Sequence, residues 1–153
     1  MPKTLENSNS RLLLSEILRK VSNAKTKAEK IKLLRTNNSA ALRSLLIWNY
    51  DDSVKSMVPD GDVPYTPNDA PAGTEHTRLA KEYKGLFRFV KGGQDNLPVL
   101  KRESMFVQLL EGLHESEAEV ICLVKDKNLQ KKYRITKAVV SEAFPQIEWG
   151  KRG

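Results

Sequence analysis

Residues 13 to 50 read LLSEILRKVSNAKTKAEKIKLLRTNNSAALRSLLIWNY, and the spacing of their apolar side chains decides the fold class. Leu14, Ile17, Leu18 and Val21 recur at i, i+3, i+4 and i+7, the interval that aligns one face of an α-helix. With Ser10 in position to cap, a helix is expected over residues 11–22. Asn23 then turns the chain. A second helix over 26–35 places Ala28, Ile31 and Leu34 on one stripe and leaves most of its lysines off it. Asn37-Asn38-Ser39 interrupts that helix and caps a third over 40–50, apolar enough to lie at the centre of the core.

Downstream the periodicity stops and returns. Residues 58–73, VPDGDVPYTPNDAPAG, hold four prolines and two glycines, and the long loop over 51–73 is expected to lie against the domain as an ordered arm, because Val63 and Tyr65 give it something to bury. Leu79, Tyr83, Leu86, Phe87 and Val90 predict a fourth helix over 74–90, ended by Gly92-Gly93. Phe106, Leu109, Leu110 and Leu113 predict a fifth from about residue 98, with His114 as an ordinary C-terminal residue beyond it. Val120, Ile121 and Val124 define a sixth over 116–127, and Thr136 and Pro145 bracket a seventh over 136–144. Neither a hairpin turn between alternating strands nor a fixed-period repeat is present. The expected fold is all-α, a single domain of about seven helices in two groups joined by the Pro-rich loop. It should run from 11 to 149 between a flexible N-terminus (1–10) and a flexible tail (150–153).

The 153 residues suit one domain, and 39% apolar against 29% charged residues is the balance of a chain that folds. The single cysteine, Cys122, sits in the apolar run VICLV and reads as a small hydrophobe. It can make neither a disulfide framework nor a cysteine zinc site. No stretch approaches the roughly 18 apolar residues of a membrane span, and no signal peptide is evident, so a cytoplasmic protein with no membrane partner is expected.

The net charge of +7 is local. Residues 25–35 and 125–137 together contain eleven of the 26 basic residues and two of the 19 acidic ones. Each window lies at a turn that feeds a helix, where free backbone N–H groups can hold a phosphate oxygen while flanking cations neutralise its charge. The candidate DNA contacts are Lys25, Thr26, Lys27, Lys30 and Lys32 in the first window and Lys131, Lys132, Arg134, Thr136 and Lys137 in the second. Thr26 and Thr136 either donate to such a phosphate or cap their helices. The plain alternative for both windows is a solvated helix face. Only Tyr133 interleaves an aromatic ring, so duplex backbone binding fits better than single-strand stacking.

Catalytic signatures are absent. His76 and His114 lack companions at metal-ligand spacing, Gly92-Gly93 is not followed by a phosphate-loop Lys-Ser/Thr, and no serine lies in a nucleophile elbow. No metal, no cofactor and no enzymatic activity are expected.

Three segments resemble the N-terminal helical DNA-binding domain of ATP-dependent DNA ligases of the phage type. Residues 13–50 look like its opening helices with their Thr-Lys junction. EYKGLFRFVKGGQDNLPVLKRESMFVQLLEGLHESEAEVICLVKD (82–126) is similar to its central pair and the helix after it, and RITKAVVSEAFPQI (134–147) to its closing helix. The likeness spans residues 12 to 147 and departs where the family has a small, glycine-containing turn and this chain has Tyr133, Arg134 and Ile135. No Lys-x-Asp-Gly occurs, so the resemblance implies a stand-alone domain without ligation chemistry, lying across the minor groove with little base readout. It implies contacts at Thr26, Lys27, Arg134, Thr136 and Lys137. The function expected is that of a non-enzymatic, largely sequence-independent DNA-binding accessory protein in phage replication, repair or transcription. The rival is a helical interaction module for a host or phage protein, a polymerase or virion component, using the loop around 63–71 and the basic windows. RNA is a lesser third possibility.

Overall fold

The computed structural model describes residues 12–67 and 77–152. Within them the helices are α1 (Leu14–Asn23), α2 (Lys27–Thr36), α3 (Ala40–Tyr50), α4 (Leu79–Glu82), α5 (Val99–Gly112), α6 (Glu115–Lys125) and α7 (Lys137–Ala143). Two 3₁₀ segments, Tyr83–Phe89 and Leu129–Lys131, complete the all-α fold. The described residues form no strand beyond an isolated antiparallel bridge between Ser56 and Val90.

The first three helices follow their sequence logic. Leu14, Ile17, Leu18 and Val21 are buried, Thr26 Oγ1 accepts from Glu29 N–H at 3.1 Å, and Ser39 Oγ accepts from Leu42 N–H at 3.0 Å. α1 starts at Leu14, later than expected, because acids supply its cap: Glu16 Oε1 accepts from Leu13 N–H and Glu117 Oε2 from Leu14 N–H, each at 2.9 Å. Ser10, the expected cap, lies outside the described residues. α7 is correctly foreseen apart from its last residue, with Thr136 Oγ1 accepting from Val139 N–H.

The expected fourth helix is corrected. Its first residues lie outside the described ones; from Leu79 it makes a single α-turn and then winds as a 3₁₀-helix to Phe89. A 3₁₀-helix repeats every three residues, so Tyr83, Leu86 and Phe89 align on one side. Leu86 and Phe89 are buried while Phe87, predicted inward on an α-helical period, is 44% exposed. Phe89 stacks edge-on against Phe106, with ring centroids 5.1 Å apart. The segment is stretched onto residues 55–57, where Met57 N–H donates to Phe89 O and Lys91 N–H to Lys55 O. The longer rise of a 3₁₀-helix, about 2.0 Å per residue against 1.5 Å, suits that reach. A side chain at Gly93 would collide with Phe87 O at 1.9 Å, which fixes glycine there.

His114 is also corrected. α5 ends at Gly112, Leu113 is extended and buried, and His114 is the N-cap of α6, its Nδ1 accepting from Ser116 N–H at 3.1 Å. α6 stops at Lys125, two residues earlier than expected, with Lys127 in the left-handed region at φ 58°.

α3 packs on α6, α6 on α5, and α7 returns across the chain to pack on α2. The helices before and after the Pro-rich loop thus interleave around one core. The described part of the loop is an ordered arm with Val63 and Tyr65 packed against that core. The buried Lys125 holds it, donating from Nζ to Pro59 O, Gly61 O and Asp126 Oδ1. Residues 68–73, the rest of the expected arm, lie outside the described ones.

The expected flexible tail is held at least to Arg152. Asp51, fully buried, accepts from Ser53 N–H and Oγ–H, from Gly150 N–H and from Arg152 Nη1, the last at 2.7 Å. Burial alone pushes this carboxyl up, but these hydrogen bonds outweigh it and bring its pKa down to about 2. A carboxylate with a lowered folded-state pKa contributes stability that is present above its unfolded pKa and lost as pH falls through the folded one. Asp51→Asn should therefore cost about 2 kcal/mol at neutral pH. Urea unfolding of the two proteins should show this gap narrowing as pH falls from about 4 to about 2.

Candidate nucleic-acid interface

The second basic window begins inside the protein. Lys125 is buried, and Lys127 donates from Nζ to Trp48 O at 2.6 Å and Asp51 O at 2.8 Å, closing the C-terminal end of α3. Burial draws the Lys127 pKa down. Neither cation is presented to a ligand.

The remaining cations meet those of the first window. The Lys30 ammonium donates to Ser22 O at the end of α1 and to Arg134 O, while Arg134 N–H donates to Ser22 Oγ at 2.9 Å. From the opposite side Tyr50 Oη–H donates to Ile135 O at 2.5 Å, and burial raises the Tyr50 pKa. Tyr133 and Ile135 are buried to 2% and 1% exposure and Arg134 between them faces out. Here the chain uses two core anchors and one exposed cation ahead of α7. Arg35 binds the far end of α7, donating from Nε to Ala143 O and from Nη2 to Glu142 O, where a cation also meets the favourable end of the helix dipole.

The ten candidates divide by what they touch. Lys30 is half-buried and acts as a strut between the two windows. Thr26 and Thr136 cap their helices. Lys27 pairs with Glu142 at 2.7 Å and Lys132 with Glu119, both pairs about half exposed. Lys137 lies over the Trp149 ring at 5.0 Å. Lys25, Lys32, Lys131 and Arg134 are exposed and form no ion pair among the described residues. The sequence reading missed Ser22, Arg35 and Trp149; only an aromatic shortly after Pro145, near a lysine-rich helix start, hints at the last.

Elsewhere a cleft of about 530 Å³ beside the arm is lined by Arg19, Lys132, Asp62, Glu119, Tyr65 and Cys122. Burial pushes the Cys122 thiol up to about 11, so it stays protonated at neutral pH. Among the described residues no cluster of three or more His, Cys, Asp or Glu can hold a metal ion, and no helix is long and apolar enough to cross a membrane.

The model of a family of unknown function, DUF6433, matches residues 17–131, well over half of the chain. The chain belongs to the DUF6433 family. The DUF6433 match contains the first basic window and the second as far as Lys131, leaving Lys132, Arg134, Thr136 and Lys137 beyond it. No curated protein and no solved structure matches the chain.

Two substitutions separate strut from bystander. Lys30→Met should cost about 1 kcal/mol in urea unfolding and speed amide exchange over 132–136, since two carbonyls lose a charged donor. The Tyr133 hydroxyl is buried with no hydrogen-bond partner among the described residues, so Tyr133→Phe should leave stability unchanged or raise it by up to about 1 kcal/mol.

Proposed function

We propose that this DUF6433 protein is a non-enzymatic accessory factor that binds duplex DNA through its phosphate backbone, with little dependence on base sequence. The observation that carries the reading is the junction of Ser22, Lys30 and Arg134. It ties together two windows that lie about a hundred residues apart in the chain, and in this reading their exposed cations act together on one polyanion. Clustered cations create a field that a polyanion can use, whereas the same charges scattered would only solubilise.

Lys25, Lys32, Lys131 and Arg134 meet phosphate without giving up a partner. Lys27 and Lys132 would exchange a surface carboxylate for a phosphate at small cost, because exposed ion pairs contribute about 0–1 kcal/mol. Lys137 already rests on Trp149 and can keep that contact while facing an anion. The resemblance of residues 13–50, 82–126 and 134–147 to the ligase DNA-binding domain also motivates the reading. The Arg134 N–H, bonded to Ser22 Oγ, is not free for a phosphate oxygen. In this reading Arg134 contributes through its side chain.

Fluorescence anisotropy with two duplexes of unrelated sequence tests the proposal. Neutralising about five phosphates gives a slope of log K against log salt near −4 to −5, the same for both duplexes. Lys131→Glu combined with Arg134→Glu should abolish retention while leaving the circular dichroism spectrum unchanged. Binding that is absent, or indifferent to salt, would refute the reading.

A further inference from the structure

A second surface has the opposite chemistry. Between α3, residues 54–57 and the 3₁₀-helix lies an open cleft of about 280 Å³ with walls from Ile47, Trp48, Val54, Leu86, Phe87 and Val90. Lys84 and Arg152 stand on its rim, the Arg88 guanidinium lies 5.2 Å from the centre of the Phe87 ring, and among the described residues no acid lines it. Lys84 is exposed and without an ion pair among the described residues. Arg152 is fixed by Asp51.

We propose that this cleft docks an acidic peptide segment of a partner protein, one large apolar side chain entering between Phe87 and Trp48 while flanking carboxylates meet Lys84 and Arg152. Size points away from a small-molecule ligand, since such sites usually enclose about 300–1,000 Å³ and this one holds about one large side chain. Charge complementarity selects an acidic sequence: every charged group on the cleft is a cation. The walls discriminate against a nucleobase. Among the neutral lining side chains only Ser44 and Tyr83 carry a hydroxyl, and that of Ser44 already donates to Ala40 O, so the walls offer the polar edges of a base few partners. Phe87 is exposed because of the period-three winding, and a chain wound as an α-helix would have turned it inward. An aromatic anchor at the centre of an apolar depression with a polar rim is the arrangement in which a few contacts carry most of the binding energy.

The two tryptophans make the test local. Trp48 lines the cleft, its Nε1–H donating to Ser56 Oγ, whereas Trp149 lies under Lys137 on the basic surface. The probe is a short, end-blocked peptide with one central Phe flanked by Asp and Glu, titrated into ¹⁵N-labelled protein while both indole N–H signals are followed. The Trp48 signal should move and the Trp149 signal should not. Replacing the peptide's Phe by Ala, or Phe87→Ala in the protein, should weaken binding about tenfold or more, and Lys84→Glu about fivefold. Lys131→Glu with Arg134→Glu should leave it unchanged. Should Phe87→Ala not fold, Lys84→Glu and the Ala peptide decide. The proposal is overturned if the peptide moves Trp149 instead, if the Ala peptide or a Lys-for-acid peptide binds equally well, if the probe moves neither indole at millimolar concentration, or if oligothymidylate occupies Trp48 more tightly than the peptide does. Because the two surfaces carry different reporters, failure here and failure of DNA binding are distinguishable.

Discussion

The carboxylate of Glu117 is the fixed point of the fold. It is 1% exposed, and its two oxygens accept from the first N–H groups of two helices, Leu14 of α1 and Leu79 of α4. A buried carboxylate is costly unless its lone pairs are met, and helix starts offer both N–H donors and the positive end of a dipole. The cost and the compensation lock together three segments that are far apart in sequence. With α6 as the common partner, α1 cannot slide and the segment leading into the 3₁₀-helix cannot drift. The basic surface stands on α1 through Ser22, and the apolar cleft is walled by the 3₁₀-helix. Both therefore take their position from this one side chain.

α7 shows a second dependence. Seven residues are too few to hold a helix in water by propensity alone. Arg35 closes its last carbonyls, Lys30 and Tyr50 hold the carbonyls ahead of it, and Tyr133 and Ile135 anchor its approach. The same chemistry that brings cations onto this surface also removes some from it. Lysine and arginine here serve as hydrogen-bond donors to backbone carbonyls as well as free charges.

That duality sets what could be read from the sequence. Apolar spacing located α1, α2, α5 and α6, because a core-facing stripe is written in the residues themselves, while cap and stop residues marked α3 and α7. The 3₁₀-helix was not legible: Tyr83, Leu86, Phe87, Val90 and Tyr83, Leu86, Phe89 are both present, and only the clamp of residues 55–57 on Phe89 and Lys91 selects the tighter winding. The two basic windows were visible as charge. Which of their cations reach solvent was not, since Lys125 and Lys131 look alike until partners from residues 59–61 take up the first. That Tyr133 and Ile135 anchor the approach to α7 was likewise not visible in the sequence. Glu117 and Asp51 gave no signal, because a buried carboxylate differs from a surface one only in the distant N–H groups that come to meet it.

The ammonium of Lys125 has a consequence for the arm. Its three N–H groups are matched by three acceptors, two of them arm carbonyls, with the side chain wholly enclosed. The arm also rests on Gly61 N–H to Asp126 and Thr66 N–H to Glu111. Lifting residues 59–61 would leave a charge inside the protein with a single acceptor, a state too unfavourable to persist, so partial peeling has no stable stopping point. The contacts of residues 59–61 with the Lys125 ammonium therefore stand or fall together.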